Sequence, residues 1–234
     1  MTEHGEQPNP RNLVATAILD IHNGGIAQLA AELCGSNLSQ VGLLRKAHLY
    51  LVQNLQPVYS VNELQPASST LQRGRGSCSQ RTAVLEAIAR VEGIPTRVHA
   101  FAVKGSFWYP RFRFTRPFIP KSVLLVWPQF YVGDKWLDFD ELHAPMEQIA
   151  VSAKSGFTNA GESLFEAVES KPVDFLGKTC GLGCYSAERD LSKFLLSNHG
   201  IFDTRDEVFN QFCSFQHTLR GRAFELIFGD RKSS

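Results

Sequence analysis

Gly74-Arg75-Gly76-Ser77-Cys78-Ser79-Gln80 runs directly into Arg81-Thr82-Ala83-Val84-Leu85-Glu86-Ala87-Ile88-Ala89-Arg90-Val91, and the chain then continues as Glu92-Gly93-Ile94-Pro95-Thr96-Arg97-Val98. Two glycines let the backbone turn tightly before Cys78. The residues from Ser79 to Val91 are good helix formers, and Gly93 stands where helices commonly end. The pattern predicts a helix with Cys78 at its N-terminus. Unpaired N–H groups and the helix dipole favour a thiolate there, which is the attacking form of cysteine. With Arg75 and Arg81 close by in sequence, a lowered Cys78 pKa is expected.

This stretch resembles the transglutaminase-like family of papain-type thiol enzymes, whose pattern is glycine-x-cysteine, a helix, then glycine-isoleucine-proline-x-arginine opening a strand. The likeness extends upstream through Ser39–Leu55 and Tyr59–Leu71. Downstream it takes in the run from Val126-Trp127-Pro128 through Gly133-Asp134-Lys135-Trp136 to Asp140, so that it covers roughly residues 39 to 142. The resemblance implies an α+β fold in which a cysteine-bearing helix packs on an antiparallel sheet. It also implies Cys78 as nucleophile and Asp140 as the acid that orients a histidine. The family places that histidine two residues before the first tryptophan, where this chain has Leu125.

Leucine cannot hold or return a proton, and the segment Lys121–Pro128 contains no histidine. Two replacements are considered. His99 lies on the strand leaving the Cys78 helix, which by the family's order neighbours the strand of Leu125, and His143 follows shortly after Asp140. The substrate's own amine is a third proton acceptor. His48, on the apolar stripe Val41, Leu44, Leu51 and Leu55, reads as a core-edge histidine. Donors to a developing oxyanion are the backbone N–H of Cys78, exposed by the helix start, and the amide of Gln72, whose plainer reading is a solvated loop glutamine.

The connection Lys104–Ser122 holds five basic residues, six aromatics and no acid. Long loops in compact domains are usually functional, so Trp108, Tyr109, Arg111, Arg113 and Arg116, together with Trp127, are candidate substrate-binding residues. Such a mixture suits an acidic or aromatic acyl group or a carrier phosphate. It suits equally a covering loop whose rings pack on the core while its arginines face water. Cys180 with Cys184, and Cys213 with His217, have spacing that a structural zinc site could use. No metal or cofactor is nevertheless expected.

The chain has 234 residues with 43% hydrophobic composition, enough for a substantial core. A net charge of +1 argues against nucleic acid as partner. Five cysteines without disulfide-like spacing point to a reducing compartment, and no apolar run reaches the ~18 residues of a membrane span. A cytoplasmic protein is expected, with a small-molecule, carrier-bound or peptide acyl substrate.

Residues 1–12 are polar and contain proline, which predicts a disordered tail rather than a signal peptide. Helices are expected over Leu13–Ile21, Ile26–Leu33 and Ser39–Leu55, and strands over Thr96–Val103, Val123–Val132 and Lys135–Asp140. The core then spans 13–150. Residues 151–234 read as a mainly helical extension, with Thr204-Arg205-Asp206-Glu207 as a capping box. Three functions stay open: a thiol enzyme making an acyl-Cys78 intermediate, a degenerate member of the fold that only binds, and a tailoring or cyclisation enzyme using the same pocket.

Overall fold

The computed structural model describes residues 6–35, 38–112, 116–153, 156–178 and 191–212. Helices α1 (Gly24–Leu33), α2 (Gln40–Asn54) and α3 (Ala67–Arg73) precede α4 (Cys78–Val91), and all three pack against it. The expected helix therefore forms, and Cys78 is its first residue. Its start is fixed by a capping box: Ser77 accepts from the Gln80 N–H, and the Gln80 side chain accepts from the Ser77 N–H.

Short strands β1 (Gln56–Pro57) and β2 (Arg75–Gly76) pair in parallel and hold the approach to Cys78. Both glycines are needed there. Gly74 has a left-handed φ of 61°, and a Cβ on Gly76 would stand 2.7 Å from the Thr70 methyl.

The main sheet contains β3 (Thr96–Lys104), β4 (Ser122–Val132), β5 (Lys135–Asp138) and β6 (Leu195–Phe202), in the order β5-β4-β3-β6 with every pair antiparallel. Helices α5 (Met146–Ser152), α6 (Leu164–Ala167) and α7 (Arg205–Phe212) complete the α-helices of the described residues. Pairing and alternation sort Val98, Ala100, Val126 and Phe130 onto one buried face. Phe101, Leu125 and Trp127 lie on the other, where Trp127 packs against Phe139 and Phe175. The α+β architecture is the expected one.

Three local expectations change. Leu13–Ile21 is not helical: Thr16 N–H bonds the Leu19 carbonyl, Leu19 N–H bonds the Thr16 hydroxyl, and Ile18 N–H bonds Asp206, so the backbone is satisfied without a helix. Part of the expected tail is packed, since Glu6 pairs with Arg97, and Asn9 and Arg11 both reach Asp203. The segment after residue 150 supplies a sheet strand, β6, as well as helices. Its Ser197-Asn198-His199-Gly200 run has the composition of a turn, which hides a strand from sequence reading. The capping box at Thr204 and Glu207 forms as expected.

Helix α4 is buried continuously from Gln80 to Arg90, charged residues included. Glu86 is fully buried and bonds Arg205 of α7 at 2.5 Å, and the Arg205 guanidinium also reaches Ser79 and Thr82. Removing one partner of such a pair leaves an uncompensated buried charge. Arg205→Ala is expected to lower the unfolding free energy by about 3–5 kcal/mol in urea titration. Arg11→Ala, which breaks an exposed contact to Asp203, should cost less than about 1 kcal/mol.

Candidate active site

Cys78 opens onto a cavity of about 370 Å³. The first turn of α4 forms one wall with Ser77, Cys78, Ser79 and Arg81. Val58 to Val61 form another, and the segment Ser122–Leu125 of β4 a third. Trp108, Arg111 and Phe112 come from the long connection, Ser163 and Leu164 from the start of α6, and His199, Phe209 and Phe212 from β6 and α7. Apolar side chains dominate the walls. Leu125, at the family's histidine position, is among them.

The cysteine is half-buried and packs against the apolar core. Burial pushes its thiol up to about 12, with Arg81, Arg205 and Arg111 pulling down and Glu166 adding to the rise. This reverses the expected lowering. A helix N-terminus favours the thiolate by a modest amount, whereas removing water from a charged sulfur costs more when no imidazolium stands beside it. Arg81 is fully buried but bonded to Glu166 and Ser163, so much of its charge is already compensated.

The other expected catalytic groups do not gather at Cys78. Strand β5 ends at Asp138, and Asp140 sits in a 3-10 turn (Phe139–Glu141), not on the strand that was expected to run to it. It does not line the cavity, and its nearest charged partner is Lys178 at 3.8 Å. Burial pushes the Asp140 carboxyl up to about 7 against the pull of Lys178. His99 lies on the same sheet face as Phe101, stacks on that ring and bonds Asn198 Oδ1 at 2.6 Å, outside the cavity lining. His143 bonds His48 Nδ1 at 2.9 Å, and His48 in turn bonds the Phe165 carbonyl at 2.6 Å. Burial lowers the pKa of all three histidines. Of these contacts the His48 bond to Phe165 lies in the core, and His48 is wholly buried.

Gln72 is exposed on α3 and does not reach the cavity, so the Cys78 N–H is left as the expected oxyanion donor. Of the expected substrate contacts, Trp108 and Arg111 line the cavity. Arg111 is engaged by Asn159 Oδ1 and by the carbonyls of Gly161 and Glu162. Tyr109 is outside, with the Arg116 guanidinium 5.4 Å from its ring. Trp127 is core, 4% exposed and away from the cavity. Arg113, Cys180, Cys184, Cys213 and His217 lie outside the described residues, among which no cluster of three His, Cys, Asp or Glu could hold a metal.

Sequence reading missed His199, Phe209 and Phe212. The two phenylalanines belong to the apolar stripe of the capped helix α7, which signals burial but not the partner. His199 carries no local signal at all.

Two outcomes follow from these effects of burial. Alkylation of Cys78, followed on its own peptide by mass spectrometry, should at pH 7.5 be at least tenfold slower than that of a free thiol of ordinary pKa (~8.5). Its rate should still be rising above pH 9. Asp140 has a folded pKa near 7, above the usual unfolded value near 3.9, so the native state holds the extra proton. Its stabilisation is complete below about pH 4 and is lost as pH rises through 7; Asp140→Asn should flatten that part of a stability-against-pH curve.

Residues 27–141 match the family model described as the transglutaminase-like superfamily. No curated protein matches the chain. Among solved structures, a candidate cysteine protease from Cytophaga hutchinsonii is similar at 17% identity and a TM-score of 0.42, over 55% of this chain and 39% of that one. A candidate protease from Parabacteroides distasonis is similar at 11% identity and a TM-score of 0.36, over 52% of this chain and 25% of that one. Among the described residues no helix is long and apolar enough to cross a membrane. The core of this chain, residues 27–141, belongs to the transglutaminase-like superfamily.

Proposed function

We propose that the protein is a thiol enzyme that transfers an apolar acyl group through an acyl-Cys78 intermediate to water or an amine. One observation carries this reading: Cys78 occupies the first position of a capped, immobilised helix and borders a cavity of about 370 Å³ with mostly apolar walls. A structural cysteine needs neither the strained glycine approach nor open volume beside its sulfur. The volume is that of a small ligand site. Aliphatic or aromatic acyl groups fit its walls of Val58, Val61, Leu124, Leu164 and Phe209. The Cys78 N–H, which helical bonding leaves without an acceptor, supports the oxyanion of the tetrahedral adduct. A small-molecule or carrier-bound acyl donor fits a walled cavity better than a long peptide does.

A binding role is the second reading, favoured by Leu125 in the cavity wall and by a thiol held protonated. Incubation with a hexanoyl thioester separates the two. The enzyme reading expects a +98 Da adduct on the Cys78 peptide, about one per chain, absent in Cys78→Ala. Saturable binding of the thioester with no adduct, unchanged in Cys78→Ala, would establish the binder instead.

A further inference from the structure

A thiol whose proton is held by burial needs a base more than an ordinary active-site cysteine does, and neither His99 nor His143 reaches the cavity. The described residues include five histidines, and His199 is the one that lines the cavity with Cys78. Its placement comes from an irregularity in β6. Ala100 of β3 pairs with Gly200, but the next residue, Phe101, pairs with Asn198, so that His199 is an extra residue bulged from the ladder. In a regular strand the side chains of 198 and 199 would follow strict alternation along the whole edge. The bulge resets it and sends Asn198 to the His99 side, leaving His199 on the cavity side against Phe212 of α7, ring centroids 4.2 Å apart.

The bulge is held from three directions. Asn198 Oδ1 accepts from the Gly200 N–H at 2.9 Å and meets His99 Nε2 at 2.6 Å. Gly200 has φ of 89°, a value that side chains rarely adopt. Ser197 Oγ lies 3.1 Å from His199 Nε2. With Nε2–H donating to Ser197, the Nδ1 lone pair is free to take a proton. The local neighbours of the ring are a hydroxyl and a phenyl ring, and the charged groups lining the same cavity are Arg81, Arg111 and Glu63.

We infer that His199 is the proton carrier of the Cys78 site, brought to it by the β6 bulge in place of the family's histidine. The inference rests on the acyl-Cys78 reading above. No hydrogen bond joins the two side chains, so a cavity water relays the proton. In acylation the Cys78 S–H proton passes through that water to His199 Nδ1 while sulfur forms the C–S bond to the acyl carbon. Collapse of the tetrahedral adduct breaks the bond to the leaving group, which departs with the proton from His199. In deacylation His199 removes a proton from the attacking water or amine, the C–S bond breaks, and the proton returns to sulfur.

Stopped-flow release of nitrophenolate from p-nitrophenyl hexanoate tests the assignment. The wild-type burst, about one nitrophenolate per chain, should rise with pH and then level off. His199→Gln should slow the burst at pH 7 by about 10²-fold or more. In His199→Ala, added imidazole should restore part of the rate. Ser197→Ala, which keeps the ring but frees its orientation, should lower the burst less and shift its pH midpoint. A His199→Gln burst at the wild-type rate would overturn the assignment while leaving the acyl-Cys78 reading intact. So would a wild-type rate climbing tenfold per pH unit past pH 9 without a plateau, whatever the folding of the variants. Absence of any Cys78-dependent burst in the wild type would overturn both.

Discussion

Burying a helix on all sides forces every charge it carries to find a partner from elsewhere in the chain, and α4 carries three such charges. Arg81 takes Glu166 and Ser163, Glu86 takes Arg205, and Arg90 bonds Thr96 and the carbonyls of Val14 and Asp203. An unpaired guanidinium or carboxylate in that environment would cost several kcal/mol. Each pair therefore works as a tether, drawing the N-terminal segment, the start of α6 and the β6–α7 corner onto one helix. The cavity is assembled from those same tethered pieces. Ser163 and Leu164 arrive with Glu166, and Phe209 and Phe212 arrive with Arg205.

Cavity chemistry follows from the same economy of water. Leu125 in the wall, Phe209 and Phe212 across from it, and packed core behind Cys78 leave the sulfur too little solvent to carry a charge at rest. In the wider fold family an imidazole beside the sulfur would offset that cost. Burial therefore holds the proton on sulfur, and on the acyl-Cys78 proposal its transfer accompanies attack rather than preceding it. Asp140 sits in a separate cluster with Asp138 and Lys178. A buried carboxyl offset by Lys178 at 3.8 Å and a hydrogen bond from Trp127 is still poorly compensated, so burial outweighs both.

The legible parts of the sequence were those fixed within a few residues of chain. Ser77 and Gln80 cap α4, Gly93 ends it, Gly133-Asp134 turns β4 into β5, and Thr204 with Glu207 caps α7; each is a local rule acting on local residues. Leu13–Ile21 failed because its backbone donors are taken by Thr16 and by Asp206, far away in sequence, which periodicity cannot register. Asp140 matched the family spacing yet landed in a 3-10 turn, since spacing along a chain does not say where a strand stops. His99 was placed on the right strand. Strand order does not say which face it takes, which the sheet pairing shows to be that of Phe101 and Asn198.

His99 and His199 illustrate how one bulge redistributes two histidines. Without the extra residue, continuing alternation back from Gly200, which pairs with Ala100, would place His199 in the ladder opposite Phe101. Asn198 now turns outward instead, where the His99 ring holds its oxygen and that oxygen holds the Gly200 N–H. The first histidine thereby fixes the backbone conformation that aims the second. His99 is thus a supporting residue for the cavity that it does not enter, and burial lowers the pKa of its ring. Sequence alone points to His99 because it is close to Cys78 along the family's strand order. The sheet transmits that importance one strand further, to a residue whose position no periodicity could give.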